Sequence, residues 1–172
     1  MAFDSFAPVL VVDGHEAEIR IIRALLRRLR CLDVDDAADG SEALAKMRER
    51  HYSLVIANWD MTPVTGREFL HEMRSDPCLN RIPVVVTGES KSDDVIAAKK
   101  AGANSYIVKP FDAQALRLKI DTAFMTKPAQ FLERQHAAAA AAAVAPALVA
   151  GHAEPPAADR TKFDGVFTAS LK

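Results

Sequence analysis

Five short apolar runs, each followed by a stretch of helical spacing, decide most of what this chain can become. They cover residues 8–12, 32–37, 53–57, 82–86 and 105–108. Four of the five are rich in β-branched residues and too short for buried helices, so they read as strands; 32–37 is the weaker one. The central run, Leu54-Val55-Ile56-Ala57-Asn58, is nearly continuous in its apolar character, as expected of a strand buried on both faces. Strand followed by helix, five times over, predicts a parallel sheet covered on both faces, with right-handed crossovers.

The helical stretches support this reading. Residues 16–30 place Ile19, Ile22, Leu26 and Leu29 on one stripe, and Arg20, Arg23, Arg27 and Arg30 on another about one residue further round. Few acids alternate with these arginines, so they are expected to be un-neutralised locally: either a solvated face or a docking surface for an acidic partner. A second helix runs from about 41 to 50, with Asp39 or Ser41 as cap and Ala43, Leu44 and Met47 inward. A third begins near Gly66, buries Phe69, Leu70 and Met73, and breaks at Asp76-Pro77. Ser90 or Ser92 can cap a fourth through Val95, Ile96 and Ala98, which Gly102 stops. Asp112 caps a fifth, with Ala113, Leu116, Ile120 and Ala123 inward. Leu118 and Met125 fall on another face of it, as ordinary surface residues or as a self-association patch.

With 172 residues, 49% of them hydrophobic and 26% charged, the chain can form one core domain with an extension. The expected layout is a domain over 1–125, an Ala-rich helical extension over 126–145, and a disordered Ala/Pro-rich tail over 146–172. Within the tail, only Phe163 to Phe167 is sticky enough for a docking motif. A net charge of −1 gives no global reason to bind nucleic acid or an anionic membrane. No apolar run approaches a membrane span, and the N-terminus lacks a signal-peptide pattern. Two cysteines without metal-ligand spacing, Cys31 and Cys78, suggest a reducing compartment. The expected location is therefore cytoplasmic.

In a parallel sheet the carboxyl ends of the strands carry the site. Asp13, Asn58, Thr87 and Lys109 each follow or end an apolar run, so four strand ends converge. Asp13 and Asp60 can offer oxygen ligands to a hard divalent cation. Lys109 can pair with an anion, and Thr87 can donate to a phosphoryl oxygen. These are parts of a phosphate site at a sheet edge.

Several stretches then combine into a resemblance. Val9-Leu10-Val11-Val12-Asp13, Ala38-Asp39-Gly40-Ser41-Glu42-Ala43-Leu44 and Val55-Ile56-Ala57-Asn58-Trp59-Asp60-Met61 occur in order. Ile82-Pro83-Val84-Val85-Val86-Thr87-Gly88, Ala101-Gly102-Ala103 and Tyr106-Ile107-Val108-Lys109-Pro110-Phe111 follow. Over about residues 8–125 the chain resembles a receiver domain of two-component response regulators, of the chemotaxis (CheY-like) type. The resemblance implies a flavodoxin-like, doubly wound sheet with strand order 2-1-3-4-5. It implies an aspartate at the tip of the third strand that accepts a phosphoryl group from a histidine kinase, with magnesium beside it. It assigns phosphoryl contact and switching to Thr87, Lys109 and Tyr106.

Two positions depart from that pattern. The acceptor position holds Asn58, whose amide is a poor nucleophile. Gly14 stands where a second acid usually follows Asp13. The site therefore lacks two of three carboxylates, and magnesium binding at Asp13 and Asp60 is expected to be weak or absent. The leading expectation is a non-phosphorylatable pseudo-receiver, not an enzyme and without a cofactor. Lys109 would be freed from its carboxylate cluster. Partners would be a histidine kinase, a phosphotransfer protein or another regulator, with a homodimer through helices four and five also open. One alternative is phosphate acceptance by the displaced Asp60 with magnesium. Another is a sensor of a nucleotide messenger using the arginines of helix one. No HExxH, GxSxG or Walker spacing occurs, and the five histidines are scattered.

Overall fold

A computed structural model describes residues 6–126, so the expected extension (beyond Thr126) and tail lie outside the described residues. The order is β1 (Val9–Val12), α1 (Glu16–Arg28), β2 (Val34–Ala37), α2 (Gly40–Glu49), β3 (Leu54–Asn58), α3 (Gly66–Ser75), β4 (Val84–Gly88), α4 (Ser92–Ala101), β5 (Ser105–Val108) and α5 (Ala113–Met125). The strands form one parallel sheet in the order β2-β1-β3-β4-β5.

Side chains alternate across the sheet, so each central strand feeds two cores. Leu10, Val12, Val55, Ala57, Val84 and Val86 pack with α2, α3 and α4. Val9, Val11, Leu54, Ile56 and Val85 pack with α1 and α5. Asp39 caps α2 by accepting from the Glu42 N–H at 2.9 Å, and Asp112 caps α5 through the Ala115 N–H at 2.7 Å. Thr65 and Glu68 form a reciprocal capping box on α3.

Two local expectations need correction. Helix α1 stops at Arg28, and Arg30 takes a left-handed conformation with φ 64°. The Cys31 N–H then reaches back to the Leu26 carbonyl at 2.9 Å, turning buried Cys31 into the core. Arg30 is therefore off the helical stripe. At α4 neither serine caps; Lys91 holds the position without a side-chain bond, and Asp93 and Asp94 face the positive end of the helix dipole instead. Ile96 on this helix is 52% exposed.

Arg74 on α3 is buried, and its fork joins three parts of the chain. Nε donates to Gly102 O at 2.9 Å, Nη1 to Asn80 O and Ile82 O at 2.9 Å each, and Nη2 to Asn104 Oδ1 at 2.8 Å. Asn104 Oδ1 also accepts from the Val84 N–H at 2.9 Å, so this one cluster sets where β4 and β5 begin. Burial pushes the Arg74 guanidinium down to about 10, which leaves it charged at neutral pH.

At the far edge, Tyr52 donates to Asp35 Oδ2 at 2.7 Å, and Arg50 bridges Asp33 and Asp35 at 2.6 Å each. Burial first, then the Asp35 bond, pushes the Tyr52 phenol up to about 12. A group whose pKa is raised by folding stabilises the fold fully below its unfolded value, about 10 for tyrosine. That contribution is lost as pH rises through about 12. Thermal melts should therefore fall between these two pH values, and Tyr52→Phe should flatten that part of the decline. An undiminished decline in the variant would refute this assignment.

Candidate functional site

The sheet brings the predicted strand ends together. The β3–β4 register places Asn58 beside Thr87, and Val12 lies opposite Ala57, so Asp13 emerges next to Asn58. Asp13 is fully buried. Its Oδ1 accepts from Asn58 Nδ2 at 3.2 Å and from the His15 N–H at 2.9 Å. Its Oδ2 lies 3.5 Å from Lys109 Nζ, which also pairs with Glu18 at 3.3 Å. Lys109 is thus held between two carboxylates rather than freed, a correction whose cause is Glu18 on the first turns of α1. His15, Glu18, Asn58, Asp60, Glu89 and Lys109 line a pocket of about 340 Å³.

Asp60 is exposed at the rim of this pocket, and its backbone carbonyl lies 3.3 Å from Asn58 Nδ2. Among the described residues no group of three or more His, Cys, Asp or Glu side chains is arranged to hold a metal. The one buried carboxylate is already satisfied by an amide, a backbone N–H and an ammonium group. This donor set does not suit magnesium, which demands octahedral oxygen ligation.

Thr87 is fully buried, and its Oγ1 has no hydrogen-bond partner. Tyr106 on β5 is also buried, and its hydroxyl donates to the Glu89 carbonyl at 3.0 Å. The ring lies over Gly88: a Cβ there would sit 2.1 Å from the Tyr106 hydroxyl. Trp59 Nε1 donates to Asp94 at 3.2 Å, tying the β3–α3 loop to the first turn of α4. That loop is tight, because a Cβ on Gly66 would come within 2.8 Å of the Asn58 carbonyl.

With this geometry in place, the model of the response regulator receiver domain matches residues 9–121. The chain belongs to that family. The receiver is 39% identical over 117 residues to the chemotaxis protein CheY of Pseudomonas aeruginosa, covering 67% of this chain and 94% of the relative. It is 37% identical to CheY-3 of Vibrio cholerae, covering 67% of this chain and 90% of that relative. Among solved structures, CheY4 of V. cholerae aligns with a TM-score of 0.62 and 29% identity, over 67% of this chain and 96% of that one. A putative response regulator from Chloroflexus aurantiacus aligns with a TM-score of 0.65 and 25% identity, over 69% of this chain and 97% of that one.

Within the receiver, the residues predicted from the strand ends meet at one place, and Tyr106 stands beside them. The arginine stripe does not survive as expected. Arg20 pairs with Glu16 at 2.5 Å, and Arg23 pairs with Asp36 across on β2. The acids were overlooked because one precedes the stripe by a helical turn and the other comes from a neighbouring strand. Leu118 and Met125 are exposed, at 65% and 78%. Sequence reasoning missed His15 and Glu18 at the site. Their signal was their position, two and five residues past the Asp13 strand tip. No described helix is long and apolar enough to cross a membrane.

Proposed function

We propose that this receiver signals by binding a partner of a two-component pathway and does not itself accept a phosphoryl group. The observation that carries the reading is the Asn58 amide donating to Asp13 at the strand tip, with Lys109 closing the other side of the same carboxylate. A functional acceptor needs a nucleophilic oxygen there and a metal beside it; an amide supplies neither charge nor nucleophile. The protein then acts as a cytoplasmic binding module without turnover or cofactor. Its partners are a histidine kinase, a phosphotransfer protein or another regulator, or a second copy through α4 and α5, where Ile96 and Leu118 are exposed.

One observation favours a second reading. Asp60 shares the pocket with Asn58 and Lys109, so a displaced acceptor has a carboxylate within the same opening. The nucleotide-sensor reading loses support, since Arg20 and Arg23 are already paired.

The test is incubation of the full chain with magnesium and acetyl phosphate, read by phosphate-affinity electrophoresis, together with capture of purified kinase or phosphotransfer domains. No phosphoprotein and measurable partner binding are expected. Phosphorylation that disappears in Asp60→Ala would move the assignment to Asp60. Absence of binding to every class of partner would overturn the proposal.

A further inference from the structure

A groove of about 720 Å³ runs between α3 and α4. Arg67, His71 and Ser75 line its α3 side, and Ala97, Lys100 and Ala101 its α4 side. The alanines keep the floor low and apolar: Ala97 is half-buried against the core, and Ala101 is buried. The acids of the α3 wall are already engaged. Glu68 accepts from Thr65 in the capping box, and Glu72 lies 3.5 Å from Arg48. Arg67 and His71 are exposed, with no side-chain bond or ion pair among the described residues. The groove is therefore apolar within and short of negative charge at its rim.

The chain leaves α5 beside one end of this groove. Ser75 and Ala101 are the last residues of their helices, so the foot of the groove lies at the pole where the strands begin. Thr126 has turned out of α5 into extended backbone, with φ −101° and ψ 123°. Its carbonyl accepts from Asn104 Nδ2. Asn104 Oδ1 accepts from Arg74, the neighbour of Ser75, and Arg74 Nε donates to the carbonyl of Gly102, the neighbour of Ala101. One asparagine thus ties the end of α5, which packs on the other face of the sheet, to the foot of the α3–α4 groove.

The sequence that follows Thr126 suits the groove. Phe131 and Leu132 come five and six residues on, and Glu133 directly after them. Five extended residues reach about 17 Å. The 10 residues of α3 make about 15 Å of helix, so the apolar pair is within range of the whole groove. A tether this short holds the pair at a local concentration of about millimolar, which favours its own groove over that of a second copy.

We propose that residues 127–136 fold back into the α3–α4 groove of the same chain. Phe131 and Leu132 cover Ala97 and Ala101, and Glu133 meets the cationic rim. The side of α4 that exposes Ile96 stays open. The inference stands independently of the function proposed above, since it concerns a different surface and no chemistry at position 58.

The experiment is residue-resolved amide hydrogen exchange by NMR on the isotope-labelled full chain. The unaltered protein is compared with Phe131→Asp/Leu132→Asp and with Ala97→Lys, a helix-compatible change that fills the groove. Residues 130–136 are expected to be protected in the unaltered chain and to exchange at least about tenfold faster in either variant. The amide resonances of 67–75 and 97–101 should shift in the double variant. Circular dichroism checks the fold of each protein, and the double variant, altered only beyond Thr126, keeps the test decisive if Ala97→Lys does not fold. Unprotected residues 130–136 in the unaltered chain, or groove resonances indifferent to the double variant, would overturn the proposal. So would protection that survives Ala97→Lys in a folded protein. Protection lost on dilution, together with a dimer in sedimentation velocity, would place the segment on a second copy and overturn it equally.

Discussion

Replacing Arg74 with alanine is expected to cost the receiver about 4 kcal/mol of folding stability, a large share of the roughly 5–15 kcal/mol typical of a domain. The guanidinium makes hydrogen bonds to three backbone carbonyls and to the Asn104 side chain. Alanine takes the guanidinium from the buried Gly102 and Ile82 carbonyls and leaves Asn104 Oδ1 with the Val84 N–H alone, which costs more than the bonds are worth in net terms. It also opens a cavity against Gly102, where the arginine stem sits within 2.9 Å of a would-be Cβ. Arg74→Lys keeps the charge but not the fork, and should recover only part of the loss. Urea unfolding of the three proteins checks this. A loss below about 1 kcal/mol in the alanine variant would show that the surrounding segments hold their places without the arginine.

The second large effect is a gain. Gly14→Asp combined with Asn58→Asp should give a protein that binds magnesium and is phosphorylated by acetyl phosphate, where the function proposed above has the unaltered chain do neither. Position 14 can carry the side chain: its backbone is not left-handed, and a Cβ there meets only the Ala38 carbonyl at an ordinary 3.7 Å. The two new carboxylates join Asp13, giving oxygen donors for the cation and a nucleophile in reach of Thr87 and Lys109. Asn58→Asp alone sets a second carboxylate against Asp13 with no cation between them. It should lower stability by about 1–3 kcal/mol without metal. Trp59, the one tryptophan, reads magnesium binding by its fluorescence, and electrophoresis reads the phosphoprotein. Failure of the double variant in both assays would mean that something besides the missing carboxylates blocks the chemistry.

The architecture was legible because its rule is local. A buried strand shows itself as an apolar run, and Val84-Val85-Val86 announces two cores at once by filling both faces. The convergence of Asp13, Asn58, Thr87 and Lys109 followed from the carboxyl-end rule. The charge pairing did not, because it depends on side chains from separate elements. Glu18 reaching Lys109, Asp36 reaching Arg23 and Asp13 Oδ1 serving both His15 and Asn58 have no periodic signature. The end of α1 was misplaced for a related reason. Arginine is a good helix former, and only the burial of Cys31 one residue later forces Arg30 out of the helix.

Tyr106 seated over Gly88 has a consequence for how such a protein could be controlled. Coupling between two sites is reciprocal: an event at one end changes affinity at the other only by shifting a balance between two forms. On the function proposed above, in which position 58 takes no phosphoryl group, no phosphorylation event moves the Tyr106 ring from the buried place it holds on the Glu89 carbonyl. On that proposal the partner surface is always on offer, and the cell's control variable becomes dose. Synthesis, degradation and competition for a shared partner would set the signal, with the receiver acting as a buffer that other regulators must outnumber.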